Sequence, residues 1–150
     1  MGVAVKYNWP SDFPSDCPPE SAYPAEGEMY RFVKNNPPVQ RDFKRWFDES
    51  YNSGKEKSMS SGQKCFAYAL SVFGSLEGAI KKFEFYKPRL EKEQCGIAVG
   101  KLDASVGLML PRGAYTHHEL WLQVGVEPHK YINKIGLLKL KIRIYIYFLI

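Results

Sequence analysis

Long apolar runs are missing from this chain of 150 residues, and we expect no secretory leader. No stretch approaches the ~20 consecutive apolar residues that a helix needs to cross a bilayer. The apolar start, residues 1–5, is followed by Lys6, Asn8 and Pro10, which end it too early for the hydrophobic segment of a signal peptide. We therefore expect a cytoplasmic protein that has no membrane partner.

Cysteine is scarce as well. The chain has three, Cys17, Cys65 and Cys95, an odd number at wide spacing. A disulfide framework normally uses an even set in a shorter chain. Cys65 and Cys95 also lie in apolar runs, where a thiol is usually buried and inert. These features predict free thiols, no disulfide and a reducing compartment.

Metal-binding and phosphate-binding motifs are absent too. The chain has no Cys-x-x-Cys or His-x-x-x-His pair, and its three histidines are His117, His118 and His129. Adjacent residues of a strand point to opposite faces, so His117 and His118 would not bind one ion together. Residues 96–101 superficially match a Walker loop, but the spacing is one residue short and no Ser or Thr follows the lysine. We predict no metal site.

Apolar and aromatic residues are plentiful, at 45% and 15% of the chain, which excludes general disorder. A length of 150 residues fits one domain. Residues 1–28 are rich in proline and acid, which predicts an extended arm. Its aromatic residues Trp9, Phe13 and Tyr23 indicate that the arm packs on a single domain formed by residues 29–150.

Charge is divided between these two parts. The arm holds one lysine and five acidic residues, a net charge of −4, which leaves +9 on the rest of the chain. A basic domain can attract a nucleic acid, a nucleotide or an acidic protein. The same excess can also serve solubility alone.

Hydrophobic patterning predicts an α+β fold, with a mixed or antiparallel sheet and one or two helices. Ser75 fits the N-cap of a helix that Pro88 limits. Residues 42–51 read as a short helix and residues 53–63 as a mobile loop. Strands are predicted at residues 29–33, 65–73, 95–102, 108–110 and 117–124, and at 139–147, where polar and apolar residues alternate.

Three separated segments place chemistry-bearing residues on or beside predicted strands. Tyr30 and Arg31 lie on the first strand, Ser71 precedes a helix, and His118 and Glu119 lie on a late strand. Each has an ordinary structural interpretation: an arginine that reaches the sheet edge, a turn serine and a surface glutamate. Their order along the chain is what makes them a candidate site.

That order resembles the Arg–Ser–Glu group of enterotoxin-like mono-ADP-ribosyltransferases, over residues 29–125. The resemblance implies an ADP-ribosyltransferase-like fold and an enzyme that uses NAD and an unknown acceptor, such as a bacterial toxin or defence effector. It assigns catalytic roles to Glu119, Ser71 and His118, and cofactor binding to Arg31, Tyr30 and His117.

The chemistry of that family needs these residue types. The planar fork of arginine suits a pyrophosphate, and a carboxylate can stabilise the cationic ribose that remains when nicotinamide leaves. A serine hydroxyl would hold the carboxylate in place. Two positions depart from the family. Residues 70–73 lack its second Ser or Thr, and His117 stands where a second Glu or Gln is common.

The chain also resembles a group of small uncharacterised bacterial proteins. The shared residues are Tyr30-Arg31-x-Val33, Pro37-Pro38, Asp42-Phe43, Leu70-Ser71-Val72 and His117-His118-x-x-Trp121. In that group the residue after the paired histidines is often not acidic, which indicates the histidines as the shared feature. This second resemblance implies no established activity.

Two other functions fit the same residues. One is a non-catalytic module of the same fold, which contacts a protein or nucleic acid through its basic surface. The other is a phosphoryl-transfer or nuclease-type enzyme in which His117 or His118 is the general base. The side-chain positions distinguish them, because an NAD enzyme needs Arg31, Ser71 and Glu119 in one cleft.

Overall fold

A computed structural model describes residues 6–85 and 96–137 of the chain. Two α-helices lie within these ranges, α1 (Ser61–Ala67) and α2 (Leu76–Phe85). The strands are β1 (Tyr23–Pro24), β2 (Gly27–Val33), β3 (Leu70–Phe73), β4 (Gly96–Leu102), β5 (Gly107–Pro111), β6 (His117–Leu122) and β7 (Ile132–Leu137). Short 3₁₀ turns are formed by Gln40–Asp42, Trp46–Asp48, Ser50–Asn52, Lys55–Ser58 and Pro128–Lys130.

The seven strands form one sheet in the order β1-β5-β6-β3-β2-β4-β7, and every described pairing is antiparallel. The predicted α+β class is therefore confirmed. Strands β6, β3 and β2 are neighbours near the middle of the sheet, although they are widely separated along the chain. This order brings residues of the first, middle and late predicted strands side by side.

Each face of the sheet is covered by apolar packing. One face contributes Met29, Val33, Leu70, Val72 and Leu120 to the larger core cluster. The other face packs against α2 and forms a smaller core cluster, which contains Phe73, Ala79, Ile80, Phe83 and Ile97. Alternate residues of a strand point to opposite faces, so Ser71 lies on the α2 side with Phe73.

Both helices begin at a serine cap. The Ser60 hydroxyl accepts a hydrogen bond from the Gln63 amide, and the Gln63 side chain accepts one from the Ser60 amide. Ser75 caps α2 by accepting a hydrogen bond from the Gly78 amide at 3.0 Å, as its sequence position predicts. These caps satisfy amides that have no partner within the helix.

A third cluster joins the N-terminal arm to α1. Trp9 and Phe13 are half-buried there and pack with the fully buried Trp121. A disulfide links Cys17 of the arm to Cys65 of α1, with their Cα atoms 5.4 Å apart. The prediction of free thiols and no disulfide is therefore wrong. An odd cysteine count does not prevent two of three from pairing when the arm folds back over 48 residues. The cysteine argument for a reducing compartment fails with it.

Local structure differs from expectation in several places. Residues 65–67 end α1 and are not part of a strand, and residues 53–63 include a 3₁₀ turn and the start of α1. Residues 42–51 form separate 3₁₀ turns where one helix was predicted. The prediction missed β7. The alternating segment 139–147 and Pro88 lie outside the described residues. Within the described ranges, no helix is long and apolar enough to cross a membrane.

Candidate active site

A cleft of about 960 Å³ is lined by Arg31, Ser71, His117 and Glu119. Its other walls come from α1 and from the segment of 3₁₀ turns between residues 40 and 58. The cleft therefore collects side chains that are as much as 88 residues apart in the sequence, between positions 31 and 119. Cavities of this size commonly hold small ligands.

Strand register brings Ser71 and Glu119 together. In the β3–β6 pair, Ser71 lies opposite Glu119 and Phe73 lies opposite His117. Residues directly opposite share a face, and diagonal neighbours two residues away remain within side-chain reach. His117 is the diagonal neighbour of Ser71. All three polar side chains consequently project into the cleft from two adjacent strands.

A close polar contact in the cleft joins Ser71 to His117. Their Oγ and Nε2 atoms are 2.5 Å apart, and His117 Nδ1 is 2.8 Å from the backbone oxygen of Arg112. A carbonyl oxygen can only accept, so Nδ1 carries the proton and Nε2 presents its lone pair to the serine. Ser71 therefore donates its hydroxyl proton to His117.

Glu119 is a buried acid of the cleft, with 8% of its side chain exposed. Burial raises its pKa to about 7, against the opposing effect of Arg112, whose Nη1 lies 3.3 Å from Oε1. Burial also lowers the pKa of His117. Glu119 Oε1 and His117 Nε2 are 3.8 Å apart. Well above pH 7 the Glu119 carboxylate is ionised and is paired with Arg112.

Arg112 is fixed over an aromatic ring. Its guanidinium carbon lies 3.9 Å from the ring centroid of Phe66, which α1 supplies to the cleft wall. A cation that stacks on a ring and pairs with a carboxylate has a defined position even when half-exposed. Arg112 was not among the predicted site residues, although its amide donates to the His117 carbonyl across the hairpin. Its signal was its position as the hairpin neighbour of His117.

The hairpin that carries Arg112 and His117 is itself constrained. Tyr115 and Thr116 have left-handed backbones, with φ of 61° and 58°. Such a conformation is unusual for a β-branched residue such as threonine. Gly78 of α2 contacts this backbone so closely that a Cβ there would collide with the Tyr115 carbonyl. The hairpin is thereby held against α2, which fixes the carbonyl that orients His117.

Arg31 lines the cleft, and its guanidinium binds the protein backbone. Nε, Nη1 and Nη2 donate to the carbonyl oxygens of Asp42, Ser71 and Lys44, at 3.0, 2.8 and 3.1 Å. Arg31 thus ties the segment of residues 42–44 to β3. Asp42 is also buried, and its carboxylate accepts hydrogen bonds from the amides of Lys34 and Val39.

The cleft is strongly cationic. Acidic residues number three among its lining side chains: Asp42, Glu49 and Glu119. Lysines and arginines number seven: Arg31, Lys34, Arg41, Lys44, Lys55, Lys82 and Arg112. Aromatic rings of Trp46, Tyr51 and Phe66 line the same space. Such a mixture suits a ligand with negative charge and a flat ring.

Two predicted site residues point elsewhere. Tyr30 donates its hydroxyl to Glu28 at 2.7 Å and packs beside the α2 cluster. The ring of His118 contacts the Thr116 carbonyl at 2.8 Å, and its strand position faces away from the cleft. The structure brings together Arg31, Ser71, His117 and Glu119, and leaves Tyr30 and His118 outside the cleft lining.

Among residues 6–85 and 96–137, no group of three His, Cys, Asp or Glu side chains could hold a metal ion. Comparison with known proteins gives no match to a family model, to a curated protein or to a solved structure.

Proposed function

We propose that this chain is an NAD-dependent ADP-ribosyltransferase-like enzyme, and that the cleft binds NAD. One observation carries the proposal: Arg31, Ser71 and Glu119, distant in sequence, line a single cationic cleft with the carboxylate at its buried floor. NAD, when bound, supplies an ADP-ribosyl group whose bond to nicotinamide breaks with cationic charge on the ribose.

The residues of the cleft fit such a ligand. Arg41 and Lys44 are exposed in the cleft wall and can neutralise a pyrophosphate. Arg31 supports them indirectly, because it holds the backbone carbonyls of Asp42 and Lys44. Trp46 and Tyr51 offer rings on which a base can stack. In this proposal Arg31 positions the phosphate-binding segment.

Glu119 is the proposed catalytic residue. An ionised carboxylate beside the ribose stabilises charge that develops only in the transition state. Ser71 positions the site through His117, since its hydroxyl is 2.5 Å from His117 Nε2 and His117 lies 3.8 Å from Glu119. The raised pKa of Glu119, about 7, implies that nicotinamide release should increase as pH rises through that value.

The test is nicotinamide release from NAD by wild-type protein and by Glu119→Gln. The variant keeps the side-chain shape and removes the charge, so we expect kcat to fall about 100-fold or more with little change in NAD affinity. Glu49→Gln is the matched control, because it removes another cleft carboxylate that has no part in the proposed chemistry. Calorimetry that detects no NAD binding at millimolar concentration would contradict the proposal.

The excess of cations in the cleft favours one alternative, a non-catalytic module that binds a nucleic acid or an acidic protein. Phosphate contacts make nucleic-acid affinity fall steeply with salt. Titration of single-stranded RNA and DNA at several salt concentrations tests this function. Tight, salt-sensitive binding together with absent nicotinamide release would replace the enzymatic proposal with this one.

A further inference from the structure

Ser71 has the surroundings of an activated nucleophile. It is exposed in the cleft, and its hydroxyl donates to a histidine nitrogen whose tautomer is fixed from the opposite side of the ring by the Arg112 carbonyl. A nucleophile, a base in hydrogen-bond contact with it and a group that orients the base are the three parts of serine acyl transfer. A positioning role for Ser71 requires none of this polarity.

We propose that Ser71 is a catalytic nucleophile with His117 as its general base, and that the cleft hydrolyses carboxylic esters that carry a negative charge. Ser71 Oγ attacks the ester carbonyl carbon while its proton passes to His117 Nε2. The bond from that carbon to the alcohol oxygen then breaks, and His117 returns the proton to the departing alcohol. Water next attacks the acyl-serine and gives a proton to His117, and the acid leaves as the Ser71 hydroxyl is restored.

The walls of the cleft determine this substrate class. Ala69 and Phe73 lie two residues on either side of Ser71, and Ala67 and Phe66 also line the cleft. These apolar side chains suit the acyl chain of an ester next to the nucleophile. The lysines and arginines farther along the wall suit an anionic group on the remainder of the substrate. Arg112 contacts Glu119, which lies opposite Ser71 on the neighbouring strand, and it is a charged donor that can serve the oxyanion.

This inference goes beyond the NAD proposal and does not depend on it. There Ser71 only positions other groups, whereas here a covalent bond forms on its oxygen. The two activities also have different readouts, since one releases nicotinamide and the other leaves an adduct on a serine. Each can fail while the other survives.

The experiment uses a fluorophosphonate probe and the full chain. Ser71 Oγ would displace fluoride from phosphorus, with the hydroxyl proton passing through His117 to water. Intact-mass and peptide mass spectrometry should find one adduct, on Ser71. Ser71→Ala should abolish it. His117→Asn retains an amide that can donate to the Arg112 carbonyl but removes the base, so labelling should slow about 100-fold or more.

Ser58→Ala is the matched control. Ser58 lines the same cleft, but its hydroxyl donates to the Lys55 backbone carbonyl at 3.1 Å, so its loss should leave labelling unchanged. In a second arm, para-nitrophenyl hydrogen succinate should be hydrolysed about tenfold faster than neutral para-nitrophenyl acetate at low salt. Equal rates would overturn the anionic substrate class.

Two results would overturn the nucleophile itself. One is an adduct that persists at full rate in Ser71→Ala or is located on another residue. The other is undiminished labelling of His117→Asn when circular dichroism shows that variant to be folded. Nicotinamide release by the same preparations separates these failures from failure of the NAD proposal.

Discussion

Two halves of one strand face show opposite chemistry. On β6, His117 and Glu119 project into the cationic cleft, while Trp121, two residues farther on, is fully buried. The indole Nε1 donates to the Cys65 carbonyl at 2.9 Å, and the Cys17–Cys65 disulfide closes the cluster around it. The two halves differ in what covers them. The open half, at His117 and Glu119, faces the cleft, whereas the closed half, at Trp121, is covered by α1 and by the disulfide-linked arm.

Phe66 of α1 forms the boundary between these halves. Its ring centroid lies 5.8 Å from that of Trp121 in the closed half. On the cleft side, the Arg112 guanidinium stacks over the same ring. The closed half therefore positions a charged residue of the open half. Polar groups in a cleft can keep fixed positions without burying their own reactive atoms when such a neighbour supports them.

Breaking the closed half should have the largest effect on stability. A disulfide across 48 residues contributes about 4 kcal/mol by the chain-entropy argument, so Cys17→Ala with Cys65→Ala should lower the free energy of unfolding by about that amount. Urea denaturation measures it, and wild-type protein in strong reductant should match the double variant. Thiol titration of the denatured, unreduced chain should find one thiol. Finding three would show that the arm is not linked.

In the open half, ionisation of Glu119 should destabilise the folded state, because burial disfavours the charged carboxylate. Burial raises the pKa of Glu119 from 4.5 to about 7, so the folded state binds this proton more tightly than the unfolded state. Stability should therefore decline as pH rises from about 4.5 to about 7, by up to about 3 kcal/mol. Glu119→Gln should lack this decline. Unfolding curves of the two proteins that stay parallel across this range would show that the carboxylate is well solvated.

The sequence allowed prediction of most of the sheet but not of the closed half. Alternation and turn residues located β2, β4, β5 and β6, and Ser75 marked the start of α2. Residues 65–67 were predicted as strand because a short apolar run fits either structure. The capping pattern Ser60-x-x-Gln63 was the available sign of a helix.

The candidate site was only partly visible in the sequence. Ser71, His117 and Glu119 were identified as residues of interest, but the contact between Ser71 and His117 depends on the β3–β6 register. Register is set by packing across the whole sheet, which no local pattern records. Arg112 and the Cys17–Cys65 bond depend on tertiary contacts in the same way.

The smallest predicted effect concerns an ion pair on the same arm that the disulfide anchors. Arg45 donates to both carboxylate oxygens of Asp12, at 3.1 and 2.8 Å, and this hydrogen bonding lowers the pKa of Asp12. A lowered pKa stabilises the folded state above the ordinary pKa of an aspartate and loses that effect in acid. Because Asp12 is 44% exposed, solvent screening limits the contribution.

Asp12→Asn should therefore cost less than 1 kcal/mol at neutral pH, measured by urea denaturation, and the difference should shrink below pH 4. Glu20→Gln, the same charge change at an exposed arm residue, should alter stability by less than about 0.5 kcal/mol. A loss for Asp12→Asn as large as that of the disulfide would mean that charge, and not the covalent link, holds the arm to the closed half.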